Sequence, residues 1–220
     1  MRRLLVLRPE PGATATVKRA QAIGLETLAR PLFEIHPVDW QAPDPALFDA
    51  LLLTSASAVR FAGEQLNLLR ALPVYAVGEA TAAAAREAGL GLAATGDGGV
   101  EALLSSIPAT IKLLHLCGED RKAPETARHE ITPVIVYRSV ERQADLADVG
   151  DCVALIHSPR AGRRFAELTR DRSSIAIVAI SADTADALGT GWRSVDVAEA
   201  RSDKALLALA ARLCNSPHPQ

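Results

Sequence analysis

Two hydroxyl residues close the apolar run in DALLLTSASAVRFAGE, residues 49–64, and a histidine–serine pair closes the one in CVALIHSPRAGRRFAEL, residues 152–168. The first pair is Thr54-Ser55; the second, His157-Ser158, stands 103 positions further on. Each run then passes into helix-like spacing. Ser and Thr at such places accept hydrogen bonds from the free backbone N–H groups of a first helical turn. That turn also carries a positive dipole end, so several helix starts gathered together offer donors to an anion without an arginine cluster. Thr81, Ser181 and Thr184 extend the pattern, with Gly12, Gly78 and Gly118 in matching turns. Capping alone explains any one of them; the set points to a receptor for an acidic ligand.

Other reactive groups are sparse. Tyr137 lies in VIVYRS and either packs as a linker aromatic or presents a phenol able to give a proton or hydrogen bond to a leaving hydroxyl. Arg8, Arg121, Arg138 and Arg160 fall near strand ends, where an arginine can pair with carboxylates or simply be solvated. The histidines, His36, His115, His129, His157 and His218, are scattered and show neither Ser-His-Asp nor metal-ligand spacing. His115 interrupts an apolar strand and reads as a hydrogen-bonded core residue; His218 sits in the tail NSPHPQ. TGDGGVEALL, residues 95–104, fits neither the dinucleotide nor the Walker pattern, and Asp97 would repel phosphate. It is a loop feeding a helix, which argues against a nucleotide-using transferase.

The elements that must hold these groups repeat. PVYAVGEATAAAAREAGL (73–90) aligns with IVAISADTADALGTGW (177–192), with Thr81 opposite Thr184, and VEALL (100–104) aligns with DKALL (203–207), both again at an offset of 103. A period this long marks two domain-sized copies rather than a solenoid. In each copy, short apolar runs without polar alternation suit strands buried on both faces, and they alternate with Ala-rich helical stretches. The sequence therefore predicts an α/β protein with two similar parallel-sheet domains. RRLLVLRP (2–9) resembles IKLLHLCG (111–118), and two proline-marked extended segments, PLFEIHPV and TPVIVYRS, flank the first full copy. The economical reading inserts one domain, 40–130, into another made of 1–33 and 140–220. Linker strands 34–39 and 131–139 would join them, free to rock about a cleft.

Composition narrows the classes. Of 220 residues, 49% are hydrophobic but only 4% aromatic, so the core must be aliphatic. A net charge of −2 offers no basic field to nucleic acid or an anionic membrane. Cys117, Cys152 and Cys214 are far apart and read as buried thiols. The apolar run in MRRLLVLRPEPG is too short for a signal peptide, and no other stretch approaches membrane-spanning length. These features lead us to expect a cytoplasmic protein, and the want of an apolar surface helix a monomer.

VLRPEPGA, PLFEI, LLLTSASAVR, VYAVGEATAAAAREAG, LCGEDR, VYRS, HSPRAG and AISADTADAL together, in this order, resemble the uroporphyrinogen-III synthase family. The resemblance implies two α/β domains joined by a two-stranded linker. It implies cyclisation of hydroxymethylbilane, a linear tetrapyrrole, with loss of water and inversion of the last pyrrole, and no cofactor or metal. A link to the upstream hydroxymethylbilane synthase would follow. Thr54 and Ser55 match the family's Thr-Ser turn, with Ser57 where an asparagine is common. Gly78 and Thr81 match its glycine–threonine turn; Ser158 and Thr184 match the turns of the other domain, with His157 where a threonine is usual. Tyr137 matches the linker tyrosine that helps the hydroxyl depart. Beside these matches, Gly118 by its turn and Arg8 and Arg121 by their places near strand ends join the expected substrate-binding set. The alternative is a non-catalytic sensor of an acidic tetrapyrrole.

Overall fold

The computed structural model describes residues 1–121 and 128–215, so His218 lies outside the described residues. Its chain divides into two compact units, Met1–Glu34 with Glu141–Gln220 and Ile35–Val140. The first, unit 1, contains β1 (Arg3–Val6), α1 (Gly12–Ala22), β2 (Thr27–Ala29), β9 (Cys152–Ile156), α5 (Pro159–Leu168), β10 (Ala176–Ala179), α6 (Ala182–Asp186), β11 (Ser194–Val197) and α7 (Asp203–Asn215). Unit 2 contains β4 (Ala50–Leu53), α2 (Ala56–Phe61), β5 (Val74–Val77), α3 (Glu79–Glu87), β6 (Leu92–Gly96), α4 (Gly99–Ser105), β7 (Leu113–Gly118) and nearly all of β8 (Ile131–Glu141). The unit boundary cuts β3 (Phe33–Pro37) after Glu34 and β8 after Val140.

Unit 1 is a five-stranded sheet in the order β2-β1-β9-β10-β11, with every adjacent pair parallel. The other sheet has six strands in the order β3-β8-β7-β4-β5-β6, parallel from β8 through β6. The segments expected as linkers are thus sheet strands themselves: β3 and β8 are neighbours, and β8 pairs with β7 from Leu113↔Ile131 to Gly118↔Tyr137. β4, β7, β9 and β10 are buried at every position, which is why their sequences show no polar alternation.

Strand registers carry the repeat into three dimensions. Leu51↔Val74 and Leu53↔Ala76 in β4–β5 recur as Ala154↔Ile177 and Ile156↔Ala179 in β9–β10, each partner displaced by 103. Val74↔Leu92 recurs as Ile177↔Val195, after which a register shift at Val74/Tyr75 sets the two copies apart by one residue. β7 lies beside β4 as β1 lies beside β9, with Leu113 opposite Ala50 and Leu4 opposite Val153. β7 follows β4 in the chain, whereas β1 precedes β9. The copies are therefore cyclic permutations of one strand order, and the likeness of residues 2–9 to 111–118 is that permutation seen in sequence.

Each sheet is covered on both faces. In unit 1, one face gathers Leu4, Val6, Val153 and Val178 with Leu206 and Ala210 of α7. The other gathers Leu5, Ala154 and Ile177 with Phe165 and Leu188. Phe165 is fully buried and stacks on Trp192 at 5.2 Å between ring centroids. Unit 2 packs Leu51, Leu53, Leu114 and Leu116 against α2 and α3, and Leu52 and Leu113 against α4. The three cysteines are free and buried, and burial pushes the Cys152 thiol up to about 12. Among the described residues, no helix is long and apolar enough to cross a membrane.

Trp40 belongs to unit 2 and Trp192 to unit 1, so a Trp40→Phe background leaves a single indole reporting on unit 1. In that background Phe165→Ala is expected to cost about 3–5 kcal/mol of unfolding free energy, the usual penalty for emptying a buried aromatic site. Denaturant titration followed by Trp192 fluorescence measures it; a loss below about 1 kcal/mol would mean that Phe165 does not anchor this core.

Candidate active-site residues

In an open parallel sheet, ligands bind beyond the carboxyl ends of the strands, where the strand order reverses. In unit 2 that place is the β4–β7 pair, because β4 leads outward to β5 and β7 leads the opposite way to β8. Thr54 and Ser55 follow β4, Gly118 ends β7, and Tyr137 stands opposite Gly118 on β8. A Cβ on Gly118 would fall 2.6 Å from Cζ and 2.8 Å from the hydroxyl oxygen of Tyr137. Glycine is therefore what lets the phenol lie directly on the strand end.

The Tyr137 hydroxyl hydrogen-bonds with Ser55, whose Oγ also accepts from the Ser57 amide at 3.1 Å as the cap of α2. Burial raises the Tyr137 pKa above its ordinary value and the bond to Ser55 only partly opposes this, so the phenol keeps its proton at neutral pH. Next to it, Thr54 Oγ1 lies 3.0 Å from Nε2 of His115. His115 is a core residue, 3% exposed, and its core partner is this candidate site residue. Burial, helped by the charge of Arg121, brings the His115 pKa down to about 4, which leaves the imidazole neutral. Arg121 is exposed and close enough for its charge also to act on Cys117.

Gly78 and Thr81 lie one strand further out. Gly78, at φ +80°, turns the chain from β5 into α3, and its carbonyl accepts from the Thr81 amide at 3.1 Å. Thr81 is itself buried, 4% exposed. Thr184 holds the matching place after β10; it is fully buried, with its hydroxyl 3.0 Å from that of Ser181. Both threonines serve the inner face of a helix start, whereas Gly78 stands at the turn itself.

Unit 1 reverses its strand order between β1 and β9, and there it gathers charge. Ser158 caps α5, its Oγ accepting from the Ala161 amide at 3.2 Å. Beside it, Asp203 at the start of α7 accepts from Thr16 at 2.8 Å, Arg19 at 2.8 Å and Arg8 at 3.3 Å, with Nε2 of His157 at 3.0 Å. Burial alone would raise the Asp203 pKa, but the hydrogen bonds from His157, Thr16 and Arg19 outweigh it and hold the carboxyl far below the usual range. Burial lowers the pKa of His157, favouring its neutral form. Arg160 lies elsewhere, with its guanidinium 4.6 Å above the Phe33 ring.

Sequence reading missed Asp203, Thr16 and Arg19 and set His157 aside. A signal existed in the repeat: at the common offset His157 replaces Thr54 while Asp203 replaces Val100, so two ionisable residues enter one copy together. Among the described residues, no group of three or more His, Cys, Asp or Glu side chains could hold a metal ion.

His115 binds its proton less well folded than unfolded, so its contribution to stability is complete above about pH 6.5 and is lost as the pH falls toward about 4. His157 is shifted the same way. His115→Gln is expected to flatten the pH dependence of the unfolding free energy across that window; an unchanged slope would show that His115 is not held neutral by the fold.

A family model for uroporphyrinogen-III synthase HemD matches residues 14–208. A uroporphyrinogen-III synthase from Chlorobaculum parvum is 34% identical over 90 residues; the match spans 37% of this chain and 37% of that protein's length. Among solved structures, the uroporphyrinogen-III synthetase of Helicobacter pylori 26695 shares the fold at a TM-score of 0.66 and 19% identity, covering 97% of this chain and all of that one. A mutant uroporphyrinogen III synthase from the extremely thermophilic bacterium Thermus thermophilus does so at 0.54 and 22%, with the same coverage. Those identities speak for the α/β fold alone, but the family model runs from within α1 into α7 and takes in both units. The chain belongs to the uroporphyrinogen-III synthase family.

Proposed function

We propose that this protein catalyses the reaction for which its family is named, converting hydroxymethylbilane to uroporphyrinogen III with loss of water. One observation carries the assignment of roles. A protonated phenol, Tyr137, lies against Gly118 at a strand end, hydrogen-bonded to Ser55 and next to Thr54. In this reading Tyr137 donates toward the departing hydroxyl of the bilane as the C–O bond breaks, and Ser55 and Thr54 orient that hydroxyl. The resulting azafulvene-like cation would close unaided to the uninverted ring. The protein's task is to hold the chain so that the substituted carbon of the last pyrrole is attacked, giving a spiro intermediate. A phenol whose pKa is raised is a weak acid, which favours control by positioning over strong proton transfer.

Every pyrrole of the substrate carries acetate and propionate, whereas the protein's net charge is −2. Binding must then come from local donors: Arg8 in unit 1, Arg121 in unit 2, and the helix starts at Ser158 and Gly78. Thr81 shapes the start at Gly78 from its buried inner side, and Thr184 does the same for the start after Ser181. This reading needs no cofactor. It carries with it a cytoplasmic monomer supplied by an upstream hydroxymethylbilane synthase.

The test supplies hydroxymethylbilane from its synthase, oxidises the products and separates the uroporphyrin isomers by chromatography. Mostly isomer III is expected; isomer I alone, from a folded sample that still binds the bilane, would make the protein a sensor. Tyr137→Phe is expected to slow turnover by about 10²-fold, the low end of what a positioned acid contributes, and to leave isomer III the main product. A full-speed variant would remove Tyr137 from the mechanism, and activity no better than that of an unfolded control would show that positioning alone does not suffice.

A further inference from the structure

Arg8 is held from one side only. Its Nη1 donates to Thr16 Oγ1 and Asp203 Oδ1, both at 3.3 Å, while among the described residues Nε and Nη2 donate no hydrogen bond. The side chain is 31% exposed. Gly12 leaves space beside this edge that any larger residue would fill: a Cβ there would fall 2.5 Å from Nε and 2.9 Å from Nη2. Nε and Nη2 form the fork with which arginine takes a carboxylate in two parallel hydrogen bonds.

We propose that Asp203 is a positioning residue for the reaction, pinning the Nη1 side of Arg8 so that the Nε–Nη2 edge is presented to a carboxylate of the substrate. The inference rests on the reading of Arg8 as a substrate-binding residue. Asp203 suits the role because its own carboxylate is fixed by Thr16, Arg19 and His157, on α1 and after β9, and is only 15% exposed. An arginine free to sample its rotamers would lose that freedom on each binding event; one already ordered does not. Charge is not cancelled either. Arg8 and Arg19 are two cations against one carboxylate, with His157 held toward neutrality, so the cluster still attracts an anion.

The repeat supplies an independent reason to look beyond stability. In unit 2 the positions matching Asp203, His157 and Arg8 are Val100, Thr54 and Cys117. That copy builds the same junction with no charge at these positions. The fold does not require the cluster.

Steady-state kinetics on the full-length protein, with hydroxymethylbilane supplied enzymatically, test the assignment through Arg8→Gln, Asp203→Asn and the double variant. Arg8→Gln is expected to raise KM about tenfold with kcat within about twofold, the pattern of lost binding shared by ground and transition states. Asp203→Asn should raise KM about fivefold although it makes the protein less acidic, and the double variant should be no worse than Arg8→Gln, because Asp203 acts through Arg8. An unchanged KM in Arg8→Gln would overturn both the role of Arg8 and this inference. A raised KM in Arg8→Gln with an unchanged or lowered KM in Asp203→Asn would overturn the inference alone, as would multiplicative effects in the double variant. Should Asp203→Asn fail to fold, Asp203→Glu keeps the charge but displaces it. A raised KM then supports the assignment, and an unchanged one overturns it.

Discussion

A parallel strand buried on both faces can carry almost nothing polar along its length, so the chemistry of such a fold collects where the strand stops. Backbone N–H groups at the following helix start lack partners within the helix, and something polar has to meet them. Ser55 and Ser158 do so directly. Once polar groups are obligatory at that edge, further ones cost little desolvation, and a binding site can grow from a capping requirement. Both units show the outcome at the same point, the place where their strand order reverses.

From that common origin the copies have parted. Unit 2 keeps its junction neutral, with hydroxyls on Thr54 and Ser55, a protonated phenol and an imidazole buried too deeply to hold a proton. Unit 1 accepts the desolvation of a carboxylate and offsets it with four donors around Asp203. A neutral site tolerates a transient cation and a leaving hydroxyl; a cationic one suits anchoring an acid. One scaffold, used twice, thereby holds two electrostatic environments, the two that the proposed acidic, water-losing substrate would call for.

Much of the fold was legible because its signals are local or periodic. ALLLT, PVYAV, KLLHL, VALIH and IAIVAI contain or overlap β4, β5, β7, β9 and β10, since mainly aliphatic runs bounded by turn residues have few other uses, and SVDVA, which alternates, contains β11. The offset of 103 was legible too and reappears as strand register. Site geometry was less so. Tyr137 could be named from its segment, but that it rests on Gly118 depends on the β7–β8 register, which no local pattern encodes. The Arg8–Asp203 contact joins residues 195 positions apart, and only the fold brings them together.

The cyclic permutation also fixes an order of events at the ribosome. Ile35–Val140 is contiguous, so unit 2 can fold as soon as it emerges. β1 is made well before β9 yet sits between β2 and β9, and Leu4, Leu5 and Val6 are fully buried only when Cys152–Ile156 has arrived. Until then the chain carries an apolar strand with an unpaired edge, the kind of surface that recruits other strands. β1 thus waits for the second part of its own sheet, and over that interval the nascent protein's exposure to aggregation includes MRRLLVLRPEP, the eleven residues of β1 and its approach to α1.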